Sequence, residues 1–347
     1  MVLAQAQSSP DLVQSSDGAN AVSGVSVVVP IYNELDNIPR LHEELTGAMR
    51  ALGKPYELIL VDDGSNDGSI DALRRLADEN PDTRVILFRR NYGQTSAMKA
   101  GIDHAKMDVV VTIDGDLQND PADIAAMIAK LEEGFDLVHG WRIDRHDSLV
   151  NRKIPSRVAN WLISRVTHFP IHDLGCTLKA TRRSILQEIE LYGDMHRFIP
   201  ILLFQRGARC AEIATHHRSR VAGETKYGIS RTITVLLDLV TVKYMLDYSA
   251  HPMRLFGGIG LICFAISALS LFVAVGMKLV SNADLTGNPL LLMSMVAGLA
   301  GLQLLSLGIL GEISARIYYS RDRHTHYAVR DYLNFAPEDM LQADGAK

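Results

Sequence analysis

Two uncharged stretches near the C-terminal end constrain the fold of this chain more than any other feature. Residues 255–277 and 285–311 contain no Asp, Glu, Lys or Arg. Because a helix rises about 1.5 Å per residue, about 20 apolar residues cross the roughly 30 Å hydrocarbon core of a bilayer. Both stretches are long enough, so they predict a transmembrane hairpin over residues 251–315. Two buried helices of a large soluble core are the alternative.

The charges around these stretches predict an orientation. The basic residues on the two outer flanks are Lys243, Arg254, Arg316, Arg321, Arg323 and Arg330. The short connection between the stretches carries only Lys278. Since positively charged flanks stay in the cytoplasm, we expect both termini inside the cell and a short hairpin tip outside.

The N-terminal end and the composition exclude several classes of protein. Residues 1–23 have no Lys, no Arg and no apolar core, so they predict a flexible tail and not a signal peptide. Three cysteines, at 176, 210 and 263, show no CxxC spacing, which argues against a disulfide framework or a zinc site. The net charge of -5 implies no general attraction to nucleic acid.

Strand and helix patterns alternate through the first part of the chain. The predicted strands cover residues 26–30, 57–61, 84–88, 108–113 and 136–139. The predicted helices cover residues 36–51, 67–80 and 94–105, and a fourth begins at Pro121. This alternation predicts an α/β domain whose mostly parallel sheet is covered on both faces.

Polar clusters follow three of these strands where each strand ends. They are PIYNE at 30–34, DDGS at 62–65 and DGDLQ at 114–118. In a parallel sheet, ligands bind beyond the carboxyl ends of the strands, so the clusters predict one binding site. No GxGxxG follows the first strand and no GxxxxGK[ST] occurs, which removes the main support for dinucleotide and P-loop sites.

The DGD cluster points to a metal. Asp114 and Asp116 flank Gly115, which lets two carboxylates turn toward one point, and Gln118 offers a neutral oxygen nearby. Such oxygen ligands suit Mg²⁺ or Mn²⁺, which share their coordination with substrate phosphates. An ordinary Asp-Gly turn is the alternative. Similarly, Asp62 and Asp63 either cap the next helix or bind a nucleoside.

Four segments together resemble a known family. PIYNE, VDDGSNDGS, NYGQTSAMKAGIDHA and DGDLQNDP occur in the order and spacing of family-2 glycosyltransferases of the GT-A fold. The resemblance covers about residues 24–250. Within that family the chain is similar to polyprenyl-phosphate glycosyltransferases. It is nearer the bacterial undecaprenyl-phosphate glucosyl- and aminoarabinosyl-type enzymes, which also carry two C-terminal spans, than dolichol-phosphate mannose synthase.

The resemblance implies roles for individual residues. Those implied to hold the nucleoside are Pro30, Tyr32, Glu34, Val61 and Asp63. Those implied to form the metal and diphosphate site are Asp114, Gly115, Asp116 and Gln118, with Asp116 also catalytic. Arg142, in GWR, would contact the donor phosphates or the sugar.

The same resemblance implies an acceptor side to the site. RVAGETKYG matches the family pattern and puts Arg220 and Lys226 near the diphosphate or the acceptor phosphate as catalytic groups. Asp173, in HDLGCTLKA, falls beside the acceptor and is implied to be catalytic; a structural cap or an Arg partner is its alternative role. His196 and Arg197 are further candidate contacts. Basic residues including Lys179, Arg182 and Arg183 are interpreted as a membrane-facing group or a solvated helix face.

The implied organisation has five parts. They are a flexible tail over 1–23, a GT-A catalytic domain over 24–230, an interfacial amphipathic helix over 231–250, the hairpin over 251–315 and a cytoplasmic tail over 316–347. The helix at 231–250 could equally be a core or oligomer helix. Relatives implied by the resemblance are often homotetramers.

The function implied is an inverting, metal-dependent transferase of the bacterial inner membrane. It would move a sugar from a nucleotide sugar, with UDP favoured, to a polyprenyl phosphate for envelope glycan or lipid A modification. A GDP-mannose-dependent enzyme and a non-catalytic lipid-carrier scaffold are the alternatives. A processive synthase is disfavoured because no QxxRW motif occurs.

Overall fold

The computed structural model describes residues 20–142, 172–191, 193, 195–218, 244, 248, 251–281, 284, 286–319, 327–336 and 339. The chain divides into two compact units. The first comprises Met1–Asp238 with Thr325–Lys347, and the second is Leu239–His324.

The first unit begins with the alternation that the sequence predicts. Its elements up to residue 142 are β1 (Val25–Ile31), α1 (Ile38–Leu52), β2 (Tyr56–Asp62), α2 (Ser69–Glu79), β3 (Thr83–Phe88), α3 (Gln94–His104), β4 (Val109–Thr112), α4 (Asp123–Glu132) and β5 (Leu137–Arg142). These strands are runs of β-branched and aliphatic residues, as VSVVVPI in β1 shows, and such runs suit a sheet buried on both faces.

Shorter elements follow. They are β6 (Lys179–Arg182), α5 (Arg183–Leu186), a 3-10 helix (Met195–Phe198), α6 (Ile199–Gln205), β7 (Cys210–Thr215) and, after the second unit, β8 (Val329–Leu333). Among the described residues, eight strands form one sheet in the order β7-β5-β6-β4-β1-β2-β3-β8.

The sheet is mixed. Strands β4, β1, β2 and β3 are parallel neighbours, and β5 is parallel to β7. Strand β6 runs antiparallel between β4 and β5, and β8 runs antiparallel to β3. The predicted α/β fold is confirmed, and the two antiparallel strands are additions that the alternating pattern does not predict.

The end of the chain is partly built into the sheet, although the sequence predicts a tail over residues 316–347. In β8, Tyr332 pairs with Ile86 and Leu333 with Val85. The side-chain amide of Asn334 donates to the carbonyls of Ala77 at 2.8 Å and Thr83 at 2.7 Å. These contacts fasten the segment to the edge of β3, so this part of the chain is not a loose tail.

The second unit contains two long apolar helices, α7 (Pro252–Ser281) and α8 (Pro289–Tyr319). Both are long and apolar enough to cross a membrane. In the apolar 18-residue stretch of each helix, only 17% and 11% is buried. A core helix of a soluble protein is mostly buried, so the soluble-core alternative is not supported.

The two helices pack closely through small residues. A Cβ on Gly260 would lie 3.1 Å from the carbonyl oxygen of Gly301, and a Cβ on Gly301 would lie 3.0 Å from that of Gly260. The Ser267 hydroxyl donates to the Ser294 carbonyl at 2.8 Å. Such contacts are the usual way in which helices associate in lipid. The amphipathic helix predicted over 231–250 lies outside the described residues except for Tyr244 and Tyr248.

Candidate active site

The DGD turn follows β4 and packs against the end of β1. A Cβ on Gly115 would lie 2.8 Å from Cδ1 of Ile31 and 3.3 Å from the carbonyl oxygen of Pro30. A larger residue here would press on Ile31 and on the Pro30 carbonyl. The predicted metal cluster and the predicted nucleoside cluster are therefore neighbours at one edge of the sheet.

Asp114 is oriented by a donor at each carboxylate oxygen. Gln94, the first residue of α3, donates its side-chain amide to Oδ1 at 2.7 Å, and the hydroxyl of Thr177 donates to Oδ2. Burial and the nearby charge of Asp116 raise the pKa of Asp114 to about 6. Like charges this close disfavour the doubly ionised state.

Asp116 completes the carboxylate pair. It is only 8% exposed, and its Oδ1 accepts the backbone N–H of Gln118 at 3.2 Å across a turn in which Leu117 has a φ of 60°. A divalent cation would offset the mutual repulsion of Asp114 and Asp116, and oxygen ligands suit Mg²⁺ or Mn²⁺. The residues present therefore fit such an ion.

The protein supplies only part of a coordination shell here. Within the described ranges, no group of three or more His, Cys, Asp or Glu side chains is arranged to hold a metal. Two carboxylates with a neutral amide are typical of sites that Mg²⁺ shares with substrate phosphates.

The predicted nucleoside residues lie around the ends of β1 and β2. Tyr32 is 42% exposed, whereas Val61 is fully buried, so the side chain of Val61 cannot touch a nucleoside. The carboxylate of Glu34 accepts from the side-chain amide of Asn37. Pro30 is partly exposed.

The two aspartates at the end of β2 accept hydrogen bonds from nearby backbone N–H groups. Asp62 accepts the N–H groups of Gly64 at 3.0 Å and Ser65 at 3.1 Å. Asp63 accepts those of Tyr92 at 2.7 Å and Gly93 at 2.9 Å. Burial raises the pKa of each aspartate. Asp63 thus joins the loop before α3 to the end of β2, where the predicted nucleoside residues lie.

Arg142 and Asp173 form a bidentate pair. Nε of Arg142 donates to Oδ2 of Asp173 at 2.6 Å, and an Nη2 proton goes to Oδ1 at 2.9 Å. Asp173 is 3% exposed, and its hydrogen bonds raise the pKa of the Arg142 guanidinium. The structure contains both structural roles considered for Asp173, because its Oδ1 also accepts the backbone N–H of Gly175 at 3.2 Å.

Two predicted acceptor-side residues follow the described segment that ends at Arg218. Arg220 and Lys226 lie outside the described residues. The last described residue before them is Arg218, whose backbone N–H donates to the carbonyl of Gln118 at 2.8 Å. Its guanidinium pairs with Asp120 at 2.7 Å.

Several residues at this site are missed by sequence reasoning. Gln94 and Thr177 both donate to Asp114. Their segments, NYGQTSAMKAGIDHA and HDLGCTLKA, are used in the family comparison, but no role is predicted for either residue. Lys179 is interpreted from sequence as part of a surface basic group, and this is wrong because it is only 2% exposed within β6.

His196, a predicted acceptor contact, is buried. Its Nδ1 lies 2.7 Å from the hydroxyl of Thr95 in α3. Burial and the charges of Arg197 and Lys179 lower the pKa of His196 to about 3, so its imidazole is neutral near pH 7. A neutral buried imidazole with a threonine partner fits a structural role better than a phosphate contact.

Sequence comparisons place this arrangement among known proteins. The family model described as Glycosyl transferase family 2 matches residues 26–190. Dodecaprenyl-phosphate galacturonate synthase of Rhizobium johnstonii is 43% identical over 92% of this chain and 94% of its own length. Undecaprenyl-phosphate 4-deoxy-4-formamido-L-arabinose transferase of Serratia proteamaculans is 36% identical over 93% of this chain and 98% of its own length.

Solved structures share the fold over about two thirds of this chain. Glucosyl-3-phosphoglycerate synthase of M. tuberculosis matches with a TM-score of 0.51 and 19% identity, over 66% of this chain and 84% of that one. Mannosyl-3-phosphoglycerate synthase of Rubrobacter xylanophilus matches with a TM-score of 0.51 and 16% identity, over 65% and 74%. At these identities the likeness concerns the fold alone.

Proposed function

This chain belongs to glycosyl transferase family 2, as its motifs predict, and from that premise we propose that it transfers a sugar from a nucleotide sugar to a polyprenyl phosphate. The observation that carries the proposal is the paired carboxylates Asp114 and Asp116 at the carboxyl end of β4, beside the end of β1. Relatives that align with nearly the whole chain are named for such transfers.

On the donor side, the exposed ring of Tyr32 is available to stack on the nucleobase, next to the DGD turn. A divalent ion held by Asp114, Asp116 and Gln118, Mg²⁺ or Mn²⁺, would offset the charge that develops on the leaving diphosphate. Gln94 and Thr177 orient the carboxylate of Asp114, because each donates to one of its oxygens, and the hydrogen bond from Thr177 also lowers its pKa.

Arg142 is the described cation best placed for the transferring group. Asp173 engages its Nε and one Nη2 proton, which leaves the Nη1 donors for a phosphate or sugar oxygen. The pair with Asp173 fixes the plane of the guanidinium before substrate binds, so little ordering is needed at the transition state.

The acceptor needs no strong base. A phosphate monoester has a second pKa of about 6, so its oxygen is largely ionised near pH 7. That oxygen forms a bond to the anomeric carbon while the bond from this carbon to the diphosphate breaks, and the configuration inverts. Asp173 then orients Arg142 and does not need to accept a proton.

Arg220 and Lys226 are proposed to contact the diphosphate or the acceptor phosphate. The support is the hydrogen bond from Arg218 to Gln118, because the chain enters the segment that contains them at the metal edge of the site. The two helices of the second unit are proposed to anchor the enzyme in the bacterial inner membrane, where the lipid acceptor resides.

The donor is proposed to be a UDP-sugar, with UDP-galacturonate placed first because the relative of 43% identity is named for galacturonate. The test is a screen of UDP-galacturonate, UDP-glucose and GDP-mannose with a short polyprenyl phosphate and the full-length protein in detergent. We expect transfer from a UDP-sugar. Transfer from GDP-mannose alone would replace this donor assignment, and no transfer from any donor would favour the scaffold alternative.

The Asp116→Asn variant tests the mechanism. Because it removes one of the two carboxylates proposed to hold the metal, we expect sugar transfer to fall by roughly 100-fold or more. Asp103→Asn is the matched control, since Asp103 pairs with Lys99 on α3 and takes no part in the site. Full activity of Asp116→Asn would overturn the metal-dependent mechanism.

A further inference from the structure

One buried cation beside the site has no part in the mechanism above. Lys179 opens β6, where it lies between Thr112 of β4 and His139 of β5 in the register of the sheet. It is 2% exposed, and its Nζ donates to the carbonyl of Cys176 at 2.5 Å. No carboxylate within the described ranges forms an ion pair with it.

Such a residue is costly to the fold. An ammonium buried without an ion pair is disfavoured by several kcal/mol in effective terms. The cost is visible in the pKa of Lys179, which burial lowers to about 8. A Leu or Met at this position would fill the same space without burying a charge, although the Cys176 carbonyl would lose this donor. Proteins retain such local conflicts mainly at functional sites.

The hydrogen bond of Lys179 belongs to a set that fixes one loop, residues 173–177. The Asp173 carbonyl lies 2.6 Å from Nε2 of His139, and the Thr177 carbonyl accepts the hydroxyl of Thr112 at 2.8 Å. Lys179 holds the Cys176 carbonyl between them. Three strands thus each hold one carbonyl of this loop, and Lys179 is the charged member of the set.

The loop carries two groups that orient the site. At one end Asp173 holds Arg142 through both carboxylate oxygens. At the other end Thr177 donates to Asp114. A shift of this loop would therefore move a guanidinium and a metal-binding carboxylate together. Displacements of about 1 Å at reacting groups can cost roughly 100-fold in rate.

We propose that Lys179 is a positioning residue for sugar transfer, which fixes the 173–177 loop through the Cys176 carbonyl and thereby sets Arg142 and Asp114. This inference rests on the proposed function and extends it to a residue outside the substrate contacts. The proposal predicts opposite effects on stability and activity, because the buried ammonium lowers the stability of the fold and its hydrogen bond fixes the loop that positions Arg142 and Asp114.

The test compares Lys179→Met, Lys179→Arg and a control in full-length protein. Lys179→Met should keep or raise the melting temperature, yet lower kcat/KM by about tenfold or more and weaken the affinity for UDP with Mn²⁺ about fivefold. Lys179→Arg keeps a charged donor and should recover much of both losses. Lys99→Met removes another buried lysine, whose Nζ pairs with Asp103 at 2.6 Å, and should leave kcat/KM unchanged.

Each outcome decides the proposal. Wild-type values of kcat/KM and UDP affinity in Lys179→Met would overturn it, as would a loss of activity that only follows a lower melting temperature. If Lys179→Met does not fold, Lys179→Arg decides: folded protein with retained UDP affinity supports positioning, and folded protein without it contradicts positioning. If wild-type protein transfers no sugar, the proposed function fails, and calorimetric UDP binding still judges Lys179.

Discussion

The paired carboxylates Asp114 and Asp116 repel each other in a buried position. A carboxyl whose pKa is raised in the folded state, here to about 6 against 3.8, binds its proton more tightly there than in the unfolded chain. The free energy of unfolding therefore decreases as pH rises from about 4 to about 6, and ionised Asp114 burdens the apoprotein at neutral pH. A bound cation would remove that burden.

Metal affinity should depend on pH for the same reason. Because the ion binds the ionised carboxylate, a pKa of about 6 predicts that Mn²⁺ affinity falls about tenfold between about pH 7.5 and pH 5. Titration followed by electron paramagnetic resonance measures this. In Thr177→Val, which removes a hydrogen bond that lowers the pKa of Asp114, the midpoint should move to higher pH. A flat profile from pH 7.5 to 5 would contradict the coupling.

At the scale of residues, the sequence predicts the candidate metal ligands better than the residues that orient them. Asp114, Asp116 and Gln118 lie within five positions and after a strand, so their proximity follows from local pattern. Gln94 and Thr177 reach Asp114 from distant segments, and such contacts depend on how the sheet orders its strands. The full burial of Val61 likewise depends on the strand order, because β2 lies between β1 and β3.

Among the elements, β8 does the most to complete the sheet. Without it, β3 would be an edge strand with unpaired backbone groups, which invites association with other chains. Asn334 ends the strand with a φ of 61°, a left-handed conformation that asparagine tolerates, and its amide donates to carbonyls at the end of α2 and the start of β3.

Variants of Asn334 test this attachment. Asn334→Ala loses the amide donors and strains a positive φ, so we expect a loss of about 2 kcal/mol and a melting temperature lower by roughly 4–8 °C. Asn334→Asp keeps the shape and the tolerance of φ but directs a carboxylate at carbonyl oxygens, so it should be less stable than Asn334→Ala. Thermal unfolding of both variants decides; an Asn334→Asp as stable as wild type would be inconsistent with the contacts described.

The elements that sequence predicts well are those with strong patterns. Strands β1 to β5 and the helices between them appear within one or two residues at most ends, because β-branched runs and helical periodicity mark them. Strand β6 is KATR and β8 is VRDYL, each short and rich in charge, so neither shows the apolar run of a buried strand. Long-range pairing with β4 and β3 stabilises them.

For the whole molecule, the order of segments along the chain limits the membrane topology. Residues on both sides of α7 and α8 belong to the first unit, since Thr325–Lys347 is part of it. If both helices cross the membrane, as proposed, the connection between them lies on the side opposite the first unit, because one folded unit lies on one side of a membrane. This agrees with the basic flanks of both stretches and with a hairpin tip on the opposite side.

Cysteine labelling tests the topology. Thr286 is exposed in the connection between the helices, and Arg330 is exposed on β8. In spheroplasts, a membrane-impermeant maleimide should label Thr286→Cys, whereas Arg330→Cys should react only after lysis. Wild-type protein provides the baseline for its native cysteines. Labelling of Arg330→Cys in intact spheroplasts would show that the orientation is wrong.

The pairing of β8 with β3 also bears on how the protein is made. Val85 pairs with Leu333, and both apolar helices lie between them in the chain. During synthesis the N-terminal strands emerge first, and the partner of β3 leaves the ribosome only after both helices have been translated. The sheet of the first unit therefore lacks its last strand until both apolar helices have been translated, so the fold is completed only after the proposed membrane segments have been made.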